Sequence, residues 1–173
     1  MNGSFILFNL KKVYFSSTFG GCEMESEKQI ILISESSKLT INFPHMLDVK
    51  GMKIALLSIQ SPNLAKLDEE RVKRIIKDSF FVGDFLSVFV HCDKIKENVY
   101  VNNMHSNFSL SMKCLDIVLL KIGLEYNMVN VQNPKYHDLN TDSLFSIDIE
   151  LCDANGKAVQ FEPGYIIIKL GLK

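Results

Sequence analysis

The chain has 173 residues, 47% of them hydrophobic and 23% charged, which suits one globular domain with a core of its own. Nineteen Lys and Arg stand against 20 Asp and Glu, a net charge of -1, so no global field draws it to nucleic acid or to an anionic membrane. No apolar run approaches the roughly 20 residues of a membrane-spanning helix, and the opening MNGSFILFNLKK puts its apolar residues ahead of its lysines, the reverse of a secretory signal.

In chain order, the first segment is FILFNLKKVYF followed by the Ser/Gly-rich SSTFGG. Residues 1–25 therefore read as an N-terminal arm or extra strand on a flexible link, and 26–173 as the main domain. Period two then dominates. KQIILI (28–33), LTINF (39–43) and MKIALLSIQ (52–60) read as strands separated by polar turns. LDEERVKRIIKDSF (67–80) breaks the pattern. Asp68 is an N-cap, acids fill the first turn, and Val72, Ile75, Ile76 and Phe80 share a helical face, which predicts one inserted helix. Its Arg71, Lys73, Arg74 and Lys77 are read as a solvated face, and Phe80, Phe81, Phe85 and Phe89 as core. Strands resume with DFLSVFVHC (84–92), NVYV (98–101), NFSLSM (107–112), CLDIVLLKIGL (114–124) and NMVNV (127–131). SLFSIDIEL (143–151), AVQF (158–161) and YIIIKLGL (165–172) complete the series. Many short strands between turn signals predict an all-β sandwich or barrel, not βαβ units.

The closing stretch reads as a hairpin with two apolar runs. Phe145, Ile147, Ile149 and Leu151 share one face of the first run, and Ser146, Asp148 and Glu150 the other. Asn155 and Gly156 supply a turn that tolerates positive φ, while Pro163 and Gly164 supply a second. Ile166, Ile168, Leu170 and Leu172 then share a face, so the last strand is expected inside a sheet. The core of the C-terminal strands is accordingly placed at Ile147, Ile149, Ile166, Ile168 and Leu170.

Catalytic and metal signatures are missing from the sequence. The histidines His45, His91, His105 and His137 form no ligand spacing, and there is no nucleophile elbow or phosphate loop. His91 and Cys92 are neighbours, but adjacent strand residues point to opposite faces and cannot share a ligand sphere. Asp138, Asp142, Asp148, Glu150 and Asp153 do not match an EF-hand and read as a wet strand face. Cys22, Cys92, Cys114 and Cys152 show no paired spacing, and three sit in apolar runs, which points to free thiols in a reducing compartment. On that reading the sequons at Asn2 and Asn107 are chance. No enzyme, cofactor or metal site is expected.

Three blocks resemble a known family. They are FPHMLDVKGMKIALLSIQSP (43–62), VFVHCDKIKENVYVNN (88–103) and, most specifically, PKYHDLNTDSLFSIDIELCDANGKAVQFEPGYIIIKLGL (134–172). In the last, Tyr136, Leu139, Phe145, Ile147, Ile149, Asp153, Gly156, Phe161, Glu162 and Gly164 fall on the family's pattern. The stretch from 38 to 172 thus resembles the single jelly-roll, penton-like minor capsid proteins of Polinton/Maverick elements and adintoviruses. The chain departs from them in having no Trp, in its 67–80 segment and in its N-terminal run.

The resemblance implies a single jelly-roll sandwich of two four-stranded antiparallel sheets, agreeing with the strand count. It also implies a structural virion protein at icosahedral vertices, with itself as a homopentamer and a major capsid protein as partners. The copy is then virion-borne, or endogenised within a cell. The alternative is a host-exapted, intracellular jelly roll that binds or acts in immunity through protein–protein contacts; a carbohydrate- or calcium-binding jelly roll is a third class without converging residues. The arm residues Phe5, Ile6, Leu7 and Phe8 are the candidate subunit contact, against a strand added within their own chain.

Overall fold

A computed structural model describes residues 28–64, 81–82, 85–103 and 108–173; of 81–82, 99–103 and 108–112 only the backbone pairing is described. The arm over 1–25, with Phe5, Ile6, Leu7 and Phe8, and the helix expected over 67–80 lie outside the described residues. Among those residues every element is a strand: β1 Lys28–Ser34, β2 Lys38–Asp48, β3 Lys53–Pro62, β4 Phe81–Val82, β5 Phe85–Cys92, β6 Val99–Asn103, β7 Phe108–Met112, β8 Cys114–Lys121, β9 Tyr126–Asn130, β10 His137–Asp138, β11 Ser143–Cys152 and β12 Ile166–Leu172.

The pairing is nested. Apart from the two-residue strands β4 and β10 and the separate β6–β7 hairpin, eight strands remain. The first pairs with the last (β1 with β12), the second with the seventh (β2 with β11), the third with the sixth (β3 with β9) and the fourth with the fifth (β5 with β8). Such a chain is one long antiparallel ribbon. Rolling it up adds β12 to β3 and β11 to β5, giving the sheets β1-β12-β3-β9 and β2-β11-β5-β8. That order defines a jelly roll. β10 continues the β9 edge of β3, and β4 pairs the start of β5.

The core lies between the sheets and follows from alternation. One inner row crosses the first sheet as Leu32, Ile168, Ile59 and Val129, residues directly opposite one another on β1, β12, β3 and β9. The first three are at most 1% exposed. From the second sheet Leu39, Ile41, Val88, Val90, Val118, Leu120, Ile147, Ile149 and Leu151 meet them in one continuous cluster. Ile166, Ile168, Leu170 and Leu172 of β12 are all buried. At roughly 1.5–3 kcal/mol for each such side chain, β12 alone contributes several kcal/mol.

Three local expectations are corrected. First, β11 and β12 do not form a hairpin; they lie in different sheets. The turn chemistry itself is real. The Asp153 carboxylate accepts from the N–H groups of Asn155 (2.8 Å) and Lys157 (2.9 Å), Asp153 O accepts from Gly156 N at 3.0 Å, and Gly156 has φ 74°. It turns the chain back only as far as the Cys152–Ala158 bridge, after which the chain crosses to the opposite sheet.

Second, AVQF (158–161) is no strand. It makes two isolated bridges, Ala158 to Cys152 and Phe161 to Leu64. Third, Phe145 points out, 63% exposed, and Leu144 takes its place in the core. The cause is a bulge. Leu144 faces Leu47 and Ser146 faces Asn42, so Phe43–Met46 on β2 stand opposite one residue of β11 and the alternation reverses there.

Two substitutions test this architecture. Ile168→Asp places an unpaired charge at 0% exposure in a central strand and is expected to cost about 4 kcal/mol or more in urea unfolding. A wild-type melting temperature in that variant would move β12 out of the sheet centre. Gly164 has φ 153°, and a Cβ there would stand 2.9 Å from Pro62 Cγ. Gly164→Val should cost about 1–3 kcal/mol, with Gly164→Ala the milder of the two.

Candidate assembly surface

An antiparallel sandwich ordinarily presents polar side chains outward on both sheets. The β1-β12-β3-β9 sheet does so only in part. Its outer rows follow from the register. Ile33, Ile167, Gln60 and Met128 lie side by side across all four strands, and Ile31, Lys169, Ser58 and Asn130 form the next row. At one end Tyr126 is opposite Pro62, and Tyr165 stands just before β12 on the face of Ile167. Met128 is 69% exposed, Tyr165 54% and Tyr126 50%. Ile31, Ile33 and Ile167 are half-buried. No carboxylate occurs in these rows.

At 150–250 Å² for an aromatic side chain, the two tyrosines and Met128 leave roughly 300–400 Å² of largely apolar surface uncovered. That already matches the largest patch of an ordinary monomer. With the isoleucines and the interspersed Gln60, Lys169 and Asn130, the face extends toward the ~800 Å² that each partner contributes to a stable interface.

The other sheet is divided. Its β2–β11 half is wet, with Lys38 Nζ 2.9 Å from Glu150 Oε1 and Asp148 exposed. Its β5–β8 half exposes Phe85, Ile117 and Leu119 around a buried outer cluster of Phe89, Cys114, Cys152 and Ala154.

Titratable groups here are structural. Cys92, Cys114 and Cys152 are free and buried, and desolvation pushes their thiols up to about 12, 11 and 12. They stay protonated and are poor nucleophiles. Cys92 faces the core, and its neighbour His91 is half-buried on the other face. Burial lowers the His91 pKa from the ordinary 6.5, with Glu150 opposing and Lys113 assisting. Asp138 pairs with Lys53 at 3.5 Å, and Asp153 builds its turn. Among the described residues no group of three or more His, Cys, Asp or Glu is placed to hold a metal.

The described residues singled out from the sequence fall in two places. Ile147, Ile149, Ile166, Ile168 and Leu170 meet in the core, from both sheets. Asn155 and Gly156 lie in the loop leaving β11, Pro163 and Gly164 in the approach to β12. None lies on the apolar outer face. That face did leave a signal. KQIILI and YIIIKLGL are nearly continuous apolar runs, the pattern of strands covered on both sides.

No protein-family model matches the chain, and no curated protein matches it. Among solved structures, the crystal structure of a selenomethionine-labelled mavirus penton protein is similar with a TM-score of 0.36 and 13% identity, over 88% of this chain. The chain spans 60% of the length of that penton protein. Likeness at that level decides nothing; the jelly-roll assignment rests on the strand order itself.

The His91 environment makes a pH prediction. The folded chain binds this proton less readily than the unfolded chain. Its contribution to stability is therefore whole above pH 6.5 and declines as pH falls below that value. Between about pH 7.5 and about pH 5 the wild-type melting temperature should fall more than that of His91→Gln. Equal falls would remove His91 as a source of the acid sensitivity.

Proposed function

We propose that the chain is a structural jelly-roll protein that acts by assembling with further copies of itself, in the manner of a penton-like minor capsid protein. The apolar outer face of the β1-β12-β3-β9 sheet carries this reading. A row of Ile33, Ile167 and Met128 beside Tyr126 and Tyr165 is an exposed surface that a free monomer would leave in water. The sequence resemblance over 38–172 to penton-like proteins supports the same role, as does the nested eight-strand order. Fold alone hosts many functions, so the order is support by analogy.

In this reading the chemistry is association, not turnover. Copies meet through heterologous side contacts repeated around a five-fold ring, and the ring seats in a shell of a separate major capsid protein. The aromatic end of the outer face, Tyr126 and Tyr165 around Pro62, supplies rigid anchors of the kind that dominate interface energies. Lys169 sits within the face rather than at its rim, so the partner surface must bring it an acceptor or leave it a path to water.

Sedimentation and electron microscopy over a concentration series test the proposal. Wild-type chain is expected to form five-fold rings, alone at high concentration or on mixing with a double jelly-roll capsid protein. Tyr126→Asp with Met128→Glu should shift the association at least tenfold toward monomer while changing the melting temperature little, since both side chains are exposed. A strictly monomeric wild type under both conditions overturns the proposal. A stable oligomer of another order would point to the exapted alternative.

A further inference from the structure

The sandwich has two long sides where the sheets end, and they are finished differently. One side carries the edge strand β8. Several of its backbone groups are met by side chains. Asn98 Nδ2 donates to Cys114 O at 2.7 Å, and its Oδ1 accepts from Cys114 N at 2.8 Å. His137 Nε2 lies 3.0 Å from Leu115 O. Asp116 Oδ1 accepts from Ile117 N at 2.8 Å. At the far end Asn127, itself 4% exposed, repeats the Asn98 arrangement. Its Oδ1 accepts from Lys121 N at 2.7 Å, and its Nδ2 donates to Lys121 O at 3.1 Å. Two carboxamides thus stand where residues of a neighbouring strand would pair. This edge is closed to strand addition.

The opposite side carries β1 and β2, each at the end of its sheet and joined by three residues, Glu35 to Ser37. Among the described residues no strand pairs with the outer edge of either. Between them runs a groove of about 220 Å³, floored by Leu32, Leu39 and Ile41 and flanked by Ile33, Lys38 and Thr40.

We propose that this groove is a strand-binding site and that its occupant is the run FILFNLKKVYF, residues 5–15 of the same chain. The run has the right pattern in its first half: Ile6, Phe8 and Leu10 alternate with Phe5, Leu7 and Asn9, giving over residues 5–10 one apolar side to lie on Leu32, Leu39 and Ile41, before Lys12 on the same side. It also has the right tether. Twelve residues separate Phe15 from Lys28, where β1 begins. They span up to about 40 Å when extended, while β1 is only about 23 Å long, so the run can double back along β1. Such a tether holds the run at a local concentration in the millimolar range, which favours its own groove over that of another copy. Recognition is strand addition: main-chain hydrogen bonds to the open edge, and alternate side chains into the groove. The inference does not depend on assembly between copies.

Disulfide trapping in the full-length chain tests it. In a Cys22→Ser background, Thr40→Cys, on the outer face of β2, is combined in turn with Phe5→Cys, Leu7→Cys and Asn9→Cys, the positions on the same side of the run. The buried Cys92, Cys114 and Cys152 do not compete. Under mild oxidation at low protein concentration, at least one pair should close rapidly within a single chain, seen as a monomer with the cross-linked peptide in a digest. A control pair of Leu7→Cys with Asn130→Cys, on the far edge, should close at least tenfold more slowly. Hydrogen exchange gives an independent reading: Phe8→Asp should speed exchange of the β1 peptide at least tenfold and leave that of β5 unchanged. The proposal is overturned if all three pairs close no faster than the control, if they close only between chains, or if Phe8→Asp leaves β1 exchange unaltered.

Discussion

Everything in this molecule depends on β12 lying between β1 and β3. Ile168 at its centre faces Leu32 on one side and Ile59 on the other, all three almost wholly removed from water. Remove that strand and the first sheet falls into two pieces, β1 alone and β3 with β9. Nesting makes the dependence stricter. Lys28 is opposite Leu172, so the outermost pair of the ribbon joins its first described residue to one of its last. A sheet completed only by such distant pairs must bear the entropy of closing the largest loop before those contacts stabilise it. The apolar density of YIIIKLGL offsets that cost.

The same density explains why the inner and outer faces of β12 are both informative. Alternation alone needs only Ile166, Ile168, Leu170 and Leu172 to be apolar. Ile167 and the adjoining Tyr165 are extra, and they align with Ile33, Met128 and Tyr126 from the neighbouring strands. Apolar outer residues on three separate strands converge on one face only because the register sets them in rows. A face of that kind, without a carboxylate, suits contact with protein and not with bulk water.

How much of this was legible in the sequence varies with the range of the interaction. Period-two runs located β1, β3, β5, β11 and β12 closely, and the turn at Asn155-Gly156 was readable because Asp153 and Gly156 act within a few residues. Partner choice was not readable. A local turn says that the chain reverses, not which sheet it enters next, so β11 and β12 looked like a hairpin when they face each other across the core. Phe145 was misplaced for a related reason: the bulge that reverses its face is made with β2, about a hundred residues earlier. Pro44 within that bulge was the available cue, since it has no N–H to give a ladder. The seals on β8 were beyond reach, because Asn98 and His137 act across 16 and 22 residues.

Those seals give meaning to what is left open. An unpaired strand edge and an apolar outer face are both liabilities, and chains ordinarily blunt them. This chain has done so along β8, with the carboxamides of Asn98 and Asn127, a carboxylate and an imidazole directed at backbone atoms, Asn98 Nδ2 also lying 3.2 Å from His137 Nδ1. Among the described residues nothing comparable protects the β1–β2 side, and the outer face of β12 carries Tyr165 and Ile167 beside Lys169. The means of closing an edge were therefore available to this fold and, among the described residues, were used on one side only. The contrast favours reading the remaining open surfaces as places that other polypeptide covers: a strand of the chain's own N-terminal run along the groove, and further copies over the sheet. The two need not compete, because one lies at the side of the sandwich and the other on its face.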